Sequence, residues 1–158
     1  YDFPPEFWLV EVSGIPYGLM GEMLEGGGNP WRGMLYGMTG RSPRVDNGPL
    51  WKLWDSFGMQ NSEMIGYWVK DNPVKTGSEK TLATVYSHMG DKALISLATW
   101  EDTDAKVKLS IDWAKLGLDP SKVTLHAPAI ENFQQETTWK PSDEIVVPKG
   151  KGLLIIAK

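Results

Sequence analysis

The pattern of hydrophobic and polar residues changes near residue 60. From about Glu63 onward, short apolar runs rich in β-branched residues are separated by turn signals, which is typical of strands. The predicted strands are residues 64–69, 81–88, 93–100, 106–111, 122–126, 144–147 and 152–157. Seven short strands with short connections predict an antiparallel β-sandwich.

The clearest alternation runs from Lys106 to Trp113. Apolar and polar residues alternate along it, so we expect one buried face that ends at Trp113 and one exposed face. Residues 89–92 predict a hairpin between two strands, and residues 148–152 predict the turn that joins the last two strands.

The first sixty residues have a different pattern. Residues 7–12 form a nearly continuous apolar run, which predicts a strand buried on both faces. Residues 46–58 begin with cap-forming residues and a Pro and end with a Gly, as a short helix does. Its predicted apolar face consists of Leu50, Leu53, Trp54 and Phe57. We expect Asp46 to cap this helix and Asp55 to be exposed.

Residues 26–41, GGGNPWRGMLYGMTGR, lie between these two elements. Glycines allow a backbone to come close to a ligand, rings can stack on sugars, and amide or guanidinium groups can bind hydroxyl or carboxylate groups. The substrate-binding candidates are therefore Asn29, Trp31, Arg32, Tyr36 and Arg41. The spacing of Trp31, Met34, Leu35 and Met38 also fits an ordinary packed helix face, so both interpretations stay open.

Charge and composition exclude several classes of protein. With 16 basic and 20 acidic residues the net charge is -4, which leaves no basic field for nucleic acid. No apolar run approaches the roughly 20 residues of a membrane span. Cysteine is absent, and His88 and His126 lie in no metal-ligand spacing, so we expect neither a metal nor a cofactor.

The whole chain resembles the C-terminal part of a bacterial glycoside-hydrolase-like family. The resemblance rests on GGGNPWRGMLYGMTGR, LWKLWDSFGM, MIGYWV, KALISLATW, VKLSIDWAKLGL and GKGLLIIAK. It implies that residues 1–60 are the C-terminal end of a (β/α)8-barrel catalytic domain and that residues 61–158 form a β-sandwich domain. The expected fold is therefore mainly β: an antiparallel β-sandwich preceded by a partial α/β barrel-end segment with a short helix.

The resemblance also implies a function. The sandwich would support the barrel, the N-terminal segment would supply a substrate-side loop, and the partners would be a carbohydrate and the rest of the barrel domain. Glycosidases need two carboxyl groups, which barrels place at strand ends and loops. Glu11 has that placement and is the catalytic candidate. The alternative is that it is an ion-paired carboxylate at a strand end. We expect the chain to be a piece of a longer protein and to be inactive alone.

Two other functions remain open at this point. A non-catalytic carbohydrate-binding module would hold a glycan on exposed rings, for which Trp100 and Trp139 are the candidates, while a purely structural sandwich would bind none. The localisation is unknown, and the resemblance suggests the periplasm, the cell surface or secretion.

Overall fold

A computed structural model of the protein describes residues 4–7, 28–39 and 45–158. In these ranges, one six-stranded sheet is accompanied by two sheets of two strands each. The strands are β1 (Glu63–Ile65), β2 (Val74–Lys75), β3 (Thr81–His88), β4 (Lys92–Thr99), β5 (Ala105–Val107), β6 (Ser110–Ile111), β7 (Leu125–Ala127), β8 (Thr137–Trp139), β9 (Ile145–Val147) and β10 (Gly152–Ala157). The helices are α1 (Pro30–Met34), α2 (Gly48–Phe57) and α3 (Trp113–Leu116), with a 3-10 turn over Met59–Asn61.

The large sheet has the strand order β1-β3-β4-β10-β7-β8, and each neighbouring pair is antiparallel. The small sheets pair β2 with β6 and β5 with β9. Side chains from both small sheets and from the large sheet share one core, for example Val74, Val107 and Ile95. The predicted antiparallel sandwich is confirmed.

The opposite face of the large sheet is covered by helices. Along β4, Ile95 and Leu97 face the sandwich core, whereas Leu94 packs in a cluster with Met34 of α1 and Leu50 of α2. Strand β4 therefore lies between two apolar layers, which explains why its sequence is nearly continuously apolar. Each such fully buried side chain stabilises the fold by about 1.5–3 kcal/mol.

Helix α2 has the predicted bounds and face. Leu50, Leu53 and Phe57 are buried, and Gly58 ends the helix in the left-handed conformation with φ 78°. The N-cap position is occupied by Asn47, not by Asp46 as expected. Asp46 lies one residue earlier, and its carboxylate accepts the N–H of the first helical residue, Gly48, at 2.8 Å. Asp55 is exposed, also as predicted.

The strand predicted over residues 64–69 is shorter than expected. Strand β1 ends at Ile65, and the chain then turns with the Val69 N–H bonded to the Gly66 oxygen at 3.0 Å. The buried Asn72 amide holds this turn by donating to the oxygens of Ile65 and Gly66, both at 3.1 Å. These side-chain bonds take the place of a continued ladder.

The strand predicted over residues 106–111 is divided in two. Strand β5 pairs with β9 and β6 pairs with β2, so the chain passes from one small sheet to the other. The expected alternation persists across the break, with Val107 and Leu109 buried and Lys108 exposed. Trp113 begins α3 rather than ending a strand, because the Asp112 carboxylate caps the Lys115 N–H at 3.2 Å. It still packs against the sandwich core.

The two predicted turns are both present. The β3–β4 hairpin closes with the Asp91 N–H bonded to the His88 oxygen at 2.9 Å, and Gly90 has φ 77°. Residues 148–152 join β9 to β10, which belong to different sheets. Phe7, the one residue of the predicted strand 7–12 that is described, lies in a helical turn instead; residues 8–12 lie outside the described ranges.

Candidate functional site

Residues 28–39 lie against the large sheet, and Asn29 begins their helix. Its side-chain oxygen accepts the Arg32 N–H at 3.0 Å, which caps α1. Its amide nitrogen donates to the Gly150 oxygen at 2.8 Å. One side chain thus starts the helix and ties it to the turn between β9 and β10.

Trp31 is half-buried and packs on the loop before β8. Its ring stacks on Phe133 with the centroids 5.0 Å apart and the planes at 29°, and its Nε1–H donates to the Phe133 oxygen at 3.2 Å. The Lys151 ammonium lies 5.3 Å from the ring centroid. Aromatic stacking, a hydrogen bond and a cation–π contact therefore fix the indole.

Arg32 turns towards the sheet and is only 5 % exposed. Its guanidinium lies 4.4 Å from the centroid of the Trp100 ring, and Nη2 donates to the Thr99 oxygen at 3.4 Å. A planar, weakly hydrated guanidinium suits such a stacked position better than an ammonium group. Trp100, expected as an exposed ring, is partly covered by this contact.

The last residue of α1 and the residue after it are bound by hydroxyl groups of the sheet. The Tyr86 hydroxyl donates to the Met34 oxygen at 2.6 Å, and the Thr84 hydroxyl donates to the Leu35 oxygen at 2.8 Å. Met34 and Leu35 are completely buried. The last carbonyls of a helix have no partner within it, so burial makes such bonds necessary. The Met34 oxygen accepts the Gly37 N–H at 3.5 Å as well, so the Tyr86 hydroxyl supplements a long main-chain bond there.

Tyr36 belongs to a group of three rings. Its hydroxyl lies 3.1 Å from the Tyr67 hydroxyl, and both hydroxyls lie 3.2 Å from the Pro5 oxygen. The ring stacks on Trp68 with the centroids 5.9 Å apart and the planes at 10°. Burial raises the pKa of Tyr36 and of Tyr67, so both phenols are neutral at physiological pH. Trp68 remains 44 % exposed.

The structure therefore places the predicted site residues along one segment but against separate parts of the sandwich. Asn29 and Trp31 contact the β9–β10 turn and the loop before β8, Arg32 contacts the end of β4, and Tyr36 contacts the turn after β1. Met34, Leu35 and Met38 are buried, as the packed-face interpretation predicted, but the helix ends at Met34, so Leu35 and Met38 do not lie on a helix face. Glu11 and Arg41 lie outside the described residues.

Two clefts border the Trp31–Phe133 pair. One, of about 360 Å³, lies between α1, the start of α2 and residues 130–133. The other, also of about 360 Å³, lies between β8, β9 and β10 and is lined by Trp139 and Lys151. Phe133 lines both clefts, although its sequence context, a polar loop, gave no signal of this role. Trp139 was expected as an exposed ring, and it is half-buried at this cleft.

Within residues 4–7, 28–39 and 45–158, no three acidic or histidine side chains come together as a metal site would need. The same ranges contain no helix long and apolar enough to span a bilayer.

A family model described as the C-terminal domain of glycoside hydrolase 123 matches residues 46–158. The chain belongs to glycoside hydrolase family 123. A second model, of the TIM-barrel domain of glycoside hydrolase 123, matches residues 1–43. No curated protein and no solved structure matches the chain. The resemblance to the C-terminal part of a glycoside hydrolase is thereby confirmed.

The family match assigns the two sides of these contacts to different domains. Residues 28–39 lie in the part that matches the glycoside hydrolase 123 barrel, and the sheet lies in the part that matches its C-terminal domain. The bonds from Tyr86 and Thr84 to Met34 and Leu35 thus connect the two matched regions. A (β/α)8 barrel typically needs about 250 residues, far more than the 43 matched here.

Proposed function

We propose that the chain is the C-terminal part of a carbohydrate-hydrolysing enzyme in which the sandwich supports the barrel. The observation that carries this proposal is the pair of bonds from Tyr86 and Thr84 to the carbonyls of Met34 and Leu35. A barrel segment whose carbonyls are bound by the sandwich depends on that sandwich for its conformation. The substrate is a carbohydrate, and the partner of the sandwich is the rest of the barrel domain.

The supporting role follows from how deeply the segment is embedded. Met34 and Leu35 are completely buried, and they belong to two separate apolar clusters shared with the sheet. Truncating one such leucine costs about 2–5 kcal/mol. The buried contacts and the two hydroxyl bonds together make the sandwich and this segment one packing unit.

The predicted loop, residues 26–41, also has residues other than Met34 and Leu35, and we assign the substrate-side role to these. Trp31 is half-buried, and the cleft beside Pro30 and Phe133 opens next to it. Catalysis by two carboxylates requires them to lie about 5–9.5 Å apart. We propose that Glu11 is one of these two carboxylates and that Arg41 hydrogen-bonds to the substrate. The chain by itself is proposed to be inactive, since the barrel must surround the sugar.

The test compares two proteins: one in which the preceding part of the barrel is joined to this chain, so that residues 1–43 complete the barrel, and the same protein without residues 46–158. Hydrolysis of a panel of 4-nitrophenyl glycosides is measured for both. We expect turnover by the longer protein and the loss of at least nine-tenths of it in the shorter one. Full turnover by the shorter protein would refute the supporting role, and no turnover of any glycoside by a folded longer protein would refute hydrolysis.

A single substitution makes the same test sharper. Thr84→Val keeps the shape of the side chain but removes the hydroxyl that donates to the Leu35 oxygen and accepts the Tyr67 N–H at 3.2 Å. In the longer protein we expect it to lower the midpoint of thermal inactivation, because a buried carbonyl loses its donor. Thr138→Val, at an exposed position of β8, is the matched control and leaves that midpoint unchanged.

A further inference from the structure

The cleft between β8, β9 and β10 has the form of a small binding site. We call it the edge cleft, because β8 is the last strand of the large sheet. Its volume is about 360 Å³, and its lining includes Phe133, Gln135, Thr137, Trp139 and Lys151. It shares Phe133 and Lys151, which both contact Trp31, with the junction between the sandwich and residues 28–39.

The side chains of the edge cleft combine two kinds of chemistry. Trp139 and Phe133 provide flat apolar surface, which suits the carbon–hydrogen face of a pyranose. Gln135 and Thr137 are exposed and form no side-chain hydrogen bond with the part of the chain that the structure describes, so their polar groups are available to hydroxyls. A few polar groups around an aromatic wall are typical of small-molecule sites.

The wall of the edge cleft is held rigidly. Gln134 donates to the oxygens of Pro128 and Leu154 at 2.8 and 2.9 Å and accepts the Leu154 N–H at 2.8 Å. These bonds fix the backbone between Phe133 and Gln135. Phe133 is held in addition by stacking on Trp31. A preformed wall lowers the entropy that binding would cost.

The charge of the edge cleft indicates which sugars it suits. Lys151 is the one charged side chain among its lining residues, and none of them carries a carboxylate. The nearest acidic residue in sequence, Glu136, binds His126 at 2.9 Å on the other side of β8. The protein as a whole has a net charge of -4, so the cleft is locally positive on an acidic molecule.

We propose that the edge cleft binds an acidic pyranose of a glycan, one that carries a carboxylate or a sulfate. Trp139 stacks on the ring, Lys151 pairs with the acidic group, and Gln135 and Thr137 bind hydroxyls. The proposal rests on the proposed function only for the carbohydrate class of the ligand. Trp31 serves this site indirectly, by backing Phe133 and lying beside Lys151.

The experiment titrates the full chain with three tetrasaccharides and follows tryptophan fluorescence and heat. The probes are a hyaluronan fragment that carries carboxylates, a chondroitin sulfate fragment that also carries sulfates, and neutral maltotetraose. We expect binding of at least one acidic probe at millimolar concentration or below, and about tenfold weaker binding of maltotetraose. Comparing the two acidic probes shows whether carboxylate or sulfate is preferred.

Matched variants locate the binding. Lys151→Met is expected to weaken binding of the acidic probe about tenfold, whereas Lys149→Met, on the same exposed turn but outside the cleft, leaves it unchanged. Trp139 packs against the core, so its replacement could loosen the fold. Gln135→Ala, at an exposed position, therefore provides a second test and is expected to weaken binding several-fold.

Three outcomes would overturn the proposal: no binding of either acidic probe, equal binding of maltotetraose, or acidic binding that both Lys151→Met and Gln135→Ala leave intact. Glycoside hydrolysis by the barrel-containing protein is measured in parallel. Turnover by the barrel-containing protein without binding at the edge cleft would refute this inference alone. Binding at the edge cleft without turnover would refute the proposed function alone.

Discussion

Tyr86 and Met34 are joined by a 2.6 Å hydrogen bond from the phenolic hydroxyl to the main-chain oxygen. Tyr86 belongs to β3 of the large sheet, and Met34 ends helix α1 of the segment that matches the family's barrel. Both residues are buried. The bond therefore stabilises the junction only while the phenol carries its proton, which makes the junction sensitive to alkaline pH.

Tyr86→Phe is expected to change stability in a pH-dependent way. Burial raises the pKa of Tyr86 in the folded chain, whereas the unfolded phenol titrates near 10. The stabilisation is complete below about pH 10 and is lost as the pH rises through the folded-state pKa. At pH 7 the variant loses about 1–2 kcal/mol in free energy of unfolding. Above pH 10 the native chain loses about 1.4 kcal/mol per pH unit more than the variant.

Urea titrations of both chains at pH 7, 9 and 10.5 check this prediction. Lysines also titrate near pH 10.4, but they are common to the two chains and cancel in the difference. Parallel pH profiles for the native chain and Tyr86→Phe would show that Tyr86 has an ordinary pKa.

Gly152→Ala is expected to be severely destabilising. A Cβ at Gly152 would lie 1.9 Å from the Leu97 oxygen, so β10 could not keep its distance from β4. Overpacking of this kind costs about 3 kcal/mol or more in free energy of unfolding, measured by urea denaturation. Gly77→Ala is the control: it has φ 72° and nothing within 4 Å of the added Cβ, so it costs only about 1–2 kcal/mol. Equal losses in the two variants would contradict the steric explanation.

Asn72→Asp tests the polar centre of the turn after β1. The Asn72 amide nitrogen lies 3.0 Å from the Ala83 oxygen and 3.1 Å from the Ile65 and Gly66 oxygens. A carboxylate there would face three acceptors, so we expect a loss of about 3 kcal/mol or more in free energy of unfolding at pH 7.

The loss caused by Asn72→Asp should shrink on acidification, because the neutral acid can again donate to a carbonyl. Repulsion raises the pKa of the new group in the folded chain, so the pH-dependent part of its stability deficit is absent below the unfolded pKa of about 4 and grows as the pH rises. Asn61→Asp, at an exposed position, is the control and should change stability by less than about 0.5 kcal/mol. A deficit that does not vary between pH 3 and 7 would argue against a buried carboxylate.

Arg32→Lys is expected to lower the free energy of unfolding by about 1–2 kcal/mol, although it keeps the charge. The ammonium cannot stack its plane on Trp100 as the guanidinium does at 4.4 Å. Lys92→Arg, beside Phe57 at 5.0 Å, is the comparison and should stay within about 0.5 kcal/mol. Chemical denaturation of the three chains measures both changes, and a neutral Arg32→Lys would show that charge alone holds this site.

Local sequence determined the elements that were predicted well. Helix α2 carries its end signals and its apolar face within residues 46–58, and strands β3, β4 and β10 lie within one residue of their predicted bounds. The burial of β4 on both faces was not predicted, although its nearly continuous apolar run is consistent with it. Short-range rules are sufficient where both ends of an element carry their own signals.

Non-local contacts determined the rest. The division of residues 106–111 depends on partners in β9 and β2, which lie far away in sequence. The orientation of residues 28–39 depends on Tyr86, Thr84 and Gly150, which no spacing within the loop could reveal. The same glycines and rings fit a ligand loop and a docked segment equally well, so composition alone could not choose between them.

Strand β10 has a consequence for how the domain folds during synthesis. It pairs with β4 on one side and β7 on the other, so among the described strands it alone connects the β1-β3-β4 half of the sheet to the β7-β8 half. In a nascent chain from which Gly152–Ala157 has not yet emerged, the two halves of the sheet are not connected, and the edges that β10 pairs with stay open. The segment of residues 28–39 contacts β3 through Tyr86 and Thr84 and the loop before β8 through Phe133, so its complete junction requires β10 to hold the two halves together.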